Sequence, residues 1–282
     1  MNVRLVTDST ADLPAGLTAE HRIKVVPLTV LFGDEALQDG IDIDSDGFFA
    51  RLANSPELPT SSQPSPATFR QTYERLASEG ATEILSIHLS GELSGTLASA
   101  RQGAEGLDIR VEHVDSGLAS LALGLGVLKA AEVIENGGSL DEAKAQTEDQ
   151  FERTHTYFIL DTLDYLLRGG RIGRVSHAFG TMLKVKPVLT FEHGEVVQLA
   201  RARTQAKAIE KGIEIAQTHF PIETAGAMHT VAPEGMQAVA DRLHELAPDA
   251  QIITGTLGPV IGVHAGPGTI AFAVISSPAP GG

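Results

Sequence analysis

Short apolar runs alternate with helix-period patterns through the first half of the chain. Val3–Val6 reads as a strand closed by the polar turn Thr7-Asp8-Ser9-Thr10, and Ile23–Phe32 as a second strand-like run broken by Pro27. The acidic stretch from Gly33 to Asp46 and the Pro/Ser-rich stretch from Pro56 to Pro66 read as loops. Phe69, Tyr73 and Leu76 recur at helical spacing, which predicts an amphipathic helix over Ala67–Ser78. A strand at Glu83–His88, a helix at Ser94–Gly103 and a strand at Ile109–Val114 follow, then a long Ala/Leu/Gly helix at Leu118–Ile134 and another helix at Leu140–Arg153. Strands separated by helices in this order predict parallel βαβ units.

The second half is patterned differently. A strand at Thr156–Leu160 and a helix at Leu163–Leu167 lead into the turn Gly169-Gly170-Arg171-Ile172-Gly173-Arg174. Two strand-like runs, Val185–Phe191 and Val196–Ala200, flank Glu192-His193-Gly194-Glu195, a hairpin signal. Helices at Thr204–His219 and Glu234–Leu246 then alternate with strands at Ala225–His229, Gln251–Thr254 and Thr269–Ser276. The pattern predicts an α/β fold of two α/β domains. Residues 1–153 form an N-terminal domain with a mainly parallel sheet, and residues 154–282 a C-terminal domain with a mixed sheet.

Length and composition agree with two globular domains: 282 residues, 42% hydrophobic and 20% charged. The absence of cysteine excludes disulfides, thiolate metal sites and Cys nucleophiles. A net charge of −15, no tryptophan and 5% aromatic residues argue against nucleic-acid binding, which needs a basic face and stacking platforms. The charge is unevenly spread. Residues 1–150 carry 10 Lys+Arg against 24 Asp+Glu, whereas Arg168, Arg171, Arg174, Lys184, Lys186, Arg201, Arg203 and Lys207 face only Glu192 and Glu195 in their segment. That cationic stretch reads either as a solvated face or as a site for an anionic ligand or acidic partner. No apolar stretch is long enough to span a bilayer and no signal peptide is evident, so a cytoplasmic protein without stable membrane insertion is expected.

Four polar loops follow apolar strands or runs: Thr7-Asp8-Ser9-Thr10, Thr60-Ser61-Ser62-Gln63-Pro64, Ser90-Gly91-Glu92-Leu93-Ser94-Gly95-Thr96 and Asp115-Ser116. Loops at strand carboxyl ends line the ligand crevice of open α/β sheets, and their hydroxyls and backbone N–H groups suit an anion. Each could instead cap the helix it opens. Ser94 invites a hydrolase reading with His88, His177, His229 or His264 as base, but Gly91-Glu92-Leu93-Ser94-Gly95 misses the Gly-x-Ser-x-Gly elbow by one position. No H-E-x-x-H zinc motif is present. Asp42-Ile43-Asp44-Ser45-Asp46-Gly47 matches half of a calcium loop, but Ala53 stands where the closing glutamate belongs, so the run reads as a solvated face or a helix start. The Gly169–Arg174 turn lacks the Gly-Lys-Ser/Thr of a phosphate loop and reads as a helix C-cap or an anion site. His264 sits in the glycine-rich turn before the last strand and reads as a structural or a site histidine.

Taken in order, these segments resemble the DegV family, the bacterial fatty-acid-binding proteins that serve fatty acid kinase. The resemblance rests on Thr7-Asp8-Ser9-Thr10-Ala11-Asp12-Leu13, Val26-Pro27-Leu28, Ser61-Ser62-Gln63-Pro64-Ser65-Pro66 and Leu93-Ser94-Gly95-Thr96. It continues through Val114-Asp115-Ser116, Asp161–Leu166 running into Gly169–Arg174, Lys186-Pro187-Val188-Leu189 and Gly262–Gly268. It implies two α/β domains with the ligand between them, a carrier without catalytic residues, metal or cofactor, and a bound C14–C18 fatty acid. The kinase subunit of fatty acid kinase would be a separate partner that forms the acyl phosphate.

Residue by residue, the resemblance implies that Ser61, Ser62, Ser94 and Gly95 bind the carboxylate, with Arg171 and His264 in a supporting polar network. Arg174, Arg201 and Arg203, where the cationic stretch and the resemblance coincide, are expected to dock the partner. Two departures stand out: Ser61 replaces the usual Thr, keeping the hydroxyl, and Gly91-Glu92 replaces a second serine, removing a hydroxyl and adding a charge. Neutral donors suffice to hold a carboxylate. A chain of about 16 carbons at ~0.8 kcal/mol per buried CH₂ offers on the order of 12 kcal/mol before ordering costs. Leu118–Ala131, Phe158–Leu160, Phe179, Met182 and Leu183 supply apolar surface for a tunnel or for plain core. The readings left beside the carrier are a phosphotransfer or hydrolytic enzyme acting at the Ser94 loop, and a sensor of another carboxylate.

Overall fold

A computed structural model describes residues 2–175 and 185–278. His177, Phe179, Met182, Leu183 and Lys184 lie outside the described residues. The chain divides into two compact units, one of residues up to Asp44 with Pro59–Glu152, the other of Ser45–Leu58 with the chain from Arg153 onward.

The first unit is built on a parallel sheet of β1 (Val3–Asp8), β2 (Lys24–Val26), β6 (Glu83–His88) and β7 (Arg110–Asp115), in the order β2-β1-β6-β7. Helices α3 (Pro66–Ser78) and α4 (Thr96–Ala104) cover one face. There Phe69, Tyr73, Leu76 and Ala100 pack with Val6, Val26 and Ile84. Leu5, Leu85 and Ile87 are also buried and, by strand alternation, point to the opposite face. On that face α5 (Leu121–Glu135) and α6 (Leu140–Glu152) lie against β1 and β6. α3 starts one residue before the expected helix: Ser65 Oγ accepts the Thr68 N–H at 3.1 Å and Pro66 occupies the first turn. α5 is rich in Ala, Leu and Gly and buries most of its length. A β-carbon on Gly124 would stand 2.6 Å from the Ala11 carbonyl oxygen, and one on Gly126 would strike the Phe151 ring.

A second, antiparallel sheet of this unit holds β3 (Thr29–Phe32) between β4 (Glu35–Gln38) and β5 (Thr60–Ser62). Three sequence expectations change here. The run Ile23–Phe32 is two strands in different sheets, separated at Pro27, which cannot donate to a ladder. The acidic loop expected over Gly33–Asp46 contains β4. The Pro/Ser loop expected before α3 contains β5, with Ser61 opposite Val30 and Ser62 opposite Thr29.

The second unit carries a six-stranded mixed sheet in the order β10-β9-β8-β13-β11-β12. Its strands are β8 (Thr154–Ile159), β9 (Lys186–Glu192), β10 (Glu195–Ala202), β11 (Ile222–His229), β12 (Gln251–Thr256) and β13 (Ile270–Ser276). Only β11 and β12 pair in parallel. Helices α8 (Gln205–Ala216) and α9 (Pro233–Leu246) bury Ile209, Ile213, Val239 and Leu243 against Tyr157, Phe272 and Val274. The predicted hairpin joins β9 to β10. His193 and Gly194 both take positive φ, 52° and 79°, as a two-residue turn matched to strand twist requires.

The sequence division at 153/154 assigns residues 45–58 to the first unit, whereas their contacts assign them to the second. α2 (Ser45–Leu52) is the reason: a β-carbon on Gly262 would lie 2.8 Å from both the Phe48 and Phe49 rings, and Ser45 Oγ donates to the Leu257 carbonyl at 2.8 Å. Gly262 belongs to α10 (Pro259–Ala265), so His264 stands in the last turn of a helix and not in an open turn. The alternation of Gly and apolar residues there hid a helix whose glycine serves close packing.

Candidate functional site

The parallel sheet sends its connections in opposite directions after β1 and β6, which are neighbours. Their carboxyl ends therefore form a topological switch point, the usual ligand crevice of such sheets. Asp8 ends β1 and His88 ends β6, and both are fully buried. His88 Nδ1 lies 2.9 Å from Asp8 Oδ2 and its Nε2 lies 2.7 Å from Ser86 Oγ, which in turn meets the Tyr73 hydroxyl at 2.8 Å. The Asp8 carboxylate also accepts the Leu89 N–H at 3.2 Å and the Thr10 N–H at 3.1 Å. Asp8 and His88 thus fasten the starts of two of the polar loops to each other. Burial alone pushes the Tyr73 phenol well above its ordinary range, so it stays a neutral partner.

The loop after β6 is further tied to the one after β7. The Ser90 N–H donates to the Leu118 carbonyl at 2.8 Å and the Ser116 N–H to the His88 carbonyl at 3.1 Å. Asp115 accepts the Gly91 N–H at 3.2 Å and the Gly117 N–H at 2.9 Å. A β-carbon at position 91 would stand 2.9 Å from Asp115 Oδ2, so glycine lets the loop close onto the carboxylate. Glu92 is exposed, and its N–H donates to Ser90 Oγ at 3.2 Å.

Ser94 is half-buried and sits just before α4. Its Oγ lies 2.8 Å from Thr96 Oγ1 and accepts the Thr96 N–H at 3.3 Å, so the helix-start reading of this serine is realised. Gly95 is the N-cap and its carbonyl accepts the Ser99 N–H at 2.9 Å. Ser61 is half-buried and Ser62 exposed at the end of β5. Gln63, the next residue, reaches Gly95: a β-carbon there would be 2.5 Å from Gln63 Nε2 and 2.7 Å from Cδ. The segment carrying Ser61 and Ser62 is thereby brought against the one carrying Ser94 and Gly95, although 32 residues separate Ser62 from Ser94.

Among the proposed bases, His88 is committed to Asp8 and Ser86 rather than to Ser94. His229 Nδ1 accepts the Ala232 N–H at 3.1 Å. The Ser86–His88–Asp8 string has the order of a nucleophile, base and orienting acid, but Ser86 is fully buried and shared with Tyr73. Its hydroxyl is closed off from solvent.

Arg171, His264 and the glycine turn meet in the second unit. α7 (Asp164–Arg168) ends at Gly169, whose carbonyl accepts Arg171 Nη1 at 2.8 Å. The His264 ring lies against Gly169, with Cε1 3.0 Å from where a β-carbon would stand. Burial, and then the nearby Arg171 guanidinium, push His264 down to about 4. It is therefore a neutral imidazole near pH 7. Arg174 is paired with both acids of its segment: Nε with Glu195 at 2.9 Å and Nη1 with Glu192 at 3.1 Å. Lys186 pairs with Asp161. Arg201 and Arg203 are exposed near the end of β10. Among the described residues no cluster of three or more His, Asp or Glu side chains is arranged to hold a metal, and no helix is long and apolar enough to cross a membrane.

A parallel-sheet unit with hydroxyl-bearing loops at its switch point, joined in one chain to a mixed-sheet unit carrying a glycine–arginine turn, defines a class of two-domain α/β proteins. The sequence profile of the DegV family, characterised only as uncharacterised protein, DegV family, matches residues 2–277. The chain belongs to the DegV family. It is 43% identical over 279 residues to a DegV domain-containing protein of Streptomyces coelicolor, covering 98% of this chain and 99% of that one. Among solved structures, it resembles a fatty-acid-binding DegV family protein from Thermus thermophilus with a TM-score of 0.91 and 37% identity, covering 98% of this chain and all (100%) of that one. The fatty-acid-binding protein DegV of Bacillus subtilis gives a TM-score of 0.90 at 34% identity, with 98% and 100% covered.

Proposed function

We propose that this chain is a non-catalytic fatty-acid carrier, which holds a long-chain acid by its carboxylate and presents that group to a separate ATP-dependent kinase. The observation that carries the reading is the approach of the Ser61-Ser62-Gln63 segment to the Ser94-Gly95 helix start at the carboxyl end of a parallel sheet. The relatives from Thermus and Bacillus, which bind fatty acids, support it.

Ser94 suits a ligand-binding role as well as its capping role. When Thr96 Oγ1–H donates to Ser94 Oγ, the Ser94 hydroxyl proton is directed to the carboxylate. Ser61 and Ser62 add hydroxyls, and Gly95 brings the first N–H groups of α4 with their positive dipole end. All of these donors are neutral, so an acyl phosphate formed on the same carboxyl group finds the same partners. Arg171 and His264 serve the polar end, His264 as a neutral hydrogen-bonding group. Arg201 and Arg203 are the exposed cations of the docking surface for the kinase, with Arg174 already offset by Glu192 and Glu195. Such a carrier works in the cytoplasm, where ATP is available.

The hydrolase alternative finds less support. The described side-chain hydrogen bonds of Ser94 go to Thr96, and His88, at the end of β6, is engaged by Asp8. Organic extraction and native mass spectrometry of the chain purified from bacterial cells test the proposal. A co-purified C14–C18 acid is expected. A different ligand, or turnover of acyl esters by the isolated protein, contradicts it.

A further inference from the structure

Gln63 has no role in the account above beyond bringing two segments together, and its surroundings ask for more. Its carboxamide lies on the backbone of Gly95 so closely that a β-carbon there would overlap it, and Nε2 donates to Ser99 Oγ at 3.1 Å. Ser99 is buried in α4 and its own N–H is bonded to the Gly95 carbonyl. The amide therefore spans the whole first turn of α4, from the N-cap Gly95 to the fourth residue Ser99. It emerges directly after β5, whose register on β3 fixes Ser61 and Ser62 opposite Val30 and Thr29. Pro64, buried and next in sequence, limits the freedom of the backbone that carries it.

We propose that Gln63 is the positioning and specificity-determining residue of the head-group site. Its amide clamps the Ser61–Ser62 strand end to the Ser94–Gly95 helix start, and its neutrality keeps that helix start open to an incoming anion. This assignment rests on the carrier reading. Two chemical requirements meet in one side chain. The reach from β5 to Ser99 demands a residue of glutamine's length with a terminal donor. The position over the α4 amino end forbids a carboxylate, which would itself take the N–H groups and hydroxyls offered to the ligand and would repel a fatty-acid anion. Gly95 belongs to the same device, because any side chain there displaces the amide.

The test compares wild type with Gln63→Met, Gln63→Glu and Ser99→Ala, each titrated with a fluorescent long-chain fatty acid and with the fatty alcohol of equal length. Gln63→Met keeps the length and loses the donor. It is expected to weaken acid binding about tenfold while alcohol binding changes by less than about twofold. Gln63→Glu is expected to weaken acid binding further, again sparing the alcohol. Ser99→Ala should weaken acid binding in wild type and have no added effect on Gln63→Met. Acid binding unchanged in Gln63→Met, or acid and alcohol falling together as a merely structural defect would make them, overturns the assignment while leaving the carrier reading in place. A wild-type chain that binds neither ligand removes both. If Gln63→Met fails to fold, Ser99→Ala alone decides by the same acid-to-alcohol ratio.

Discussion

The imidazole of His264 occupies the space in which a side chain at residue 169 would stand. A β-carbon on Gly169 would overlap Nδ1 and lie 3.0 Å from both Cε1 and the Tyr165 carbonyl oxygen. Gly169 itself is helical, with φ −73° and ψ −6°, so glycine is required there by the ring and not by backbone conformation. Two features that look independent in the sequence, a glycine turn and a histidine about 95 residues later, are thus one packing unit. Gly169→Ala is expected to cost about 1–3 kcal/mol by overpacking. In a His264→Ala background most of that cost should vanish, as measured by urea unfolding. Strict additivity of the two substitutions would contradict the packing account.

The Asp8–His88 pair supplies a second prediction. Both side chains are fully buried and every polar atom involved has a partner, so removing one leaves the others without compensation. Asp8→Ala should destabilise the chain by roughly 3 kcal/mol or more. Adding His88→Phe should cost less than the sum of the single effects. A loss below about 1 kcal/mol for Asp8→Ala, read from denaturant midpoints at constant m, would show that the pair does not hold the two strand ends together.

Acid should destabilise the chain earlier than its carboxylates alone would. Burial lowers His113, His155 and His264 to about 4; the neighbouring His88, His219 and Arg171, respectively, add to the effect. In the unfolded chain these imidazoles titrate near 6.5, so between that value and about 4 the unfolded state binds more protons than the folded one. The stability they allow is complete above about pH 6.5 and is lost as pH falls toward 4. The melting temperature is therefore expected to drop steadily over this window. A melting temperature constant or rising from pH 6.5 to 4.5 would contradict the assignment of buried neutral histidines.

What the sequence makes legible, and what it hides, divides along range. The spacing of Phe69, Tyr73 and Leu76 announces α3, and Glu192-His193-Gly194-Glu195 announces a hairpin turn, because periodicity and turns are governed by neighbours in the chain. The alternation of strands and helices is enough for the two kinds of sheet. Long-range pairing is not encoded locally. Asp8 and His88 lie 80 residues apart, and only the adjacency of β1 and β6 turns a supposed loop acid and a supposed catalytic base into a buried pair. β4 and β5 are four and three residues long, too short for periodicity to report, and exist because β3 pairs with both. The acidic run signals the start of α2 at Ser45, but not its extent, because its apolar residues, Phe48 and Phe49, follow the acids and answer to Gly262, more than 200 positions away. Of the proposed site residues, the hydroxyls are legible as loop chemistry, whereas the part assigned to Gln63 is not. An exposed-looking glutamine carries no signal until Gly95 and Ser99 are found beneath it.

The central claim is that uncharged hydroxyl donors of the first unit, and not the exposed arginines of the second, grip the carboxylate. Affinity for a fluorescent long-chain fatty acid, measured side by side for wild type, Ser94→Ala and Arg203→Ala, tests it most directly. Loss of a hydrogen bond to a charged group is expected to weaken Ser94→Ala by about tenfold or more. Arg203→Ala should stay within about twofold of wild type, as an exposed cation with no part in the grip would. Equal affinities of the two variants would contradict the account.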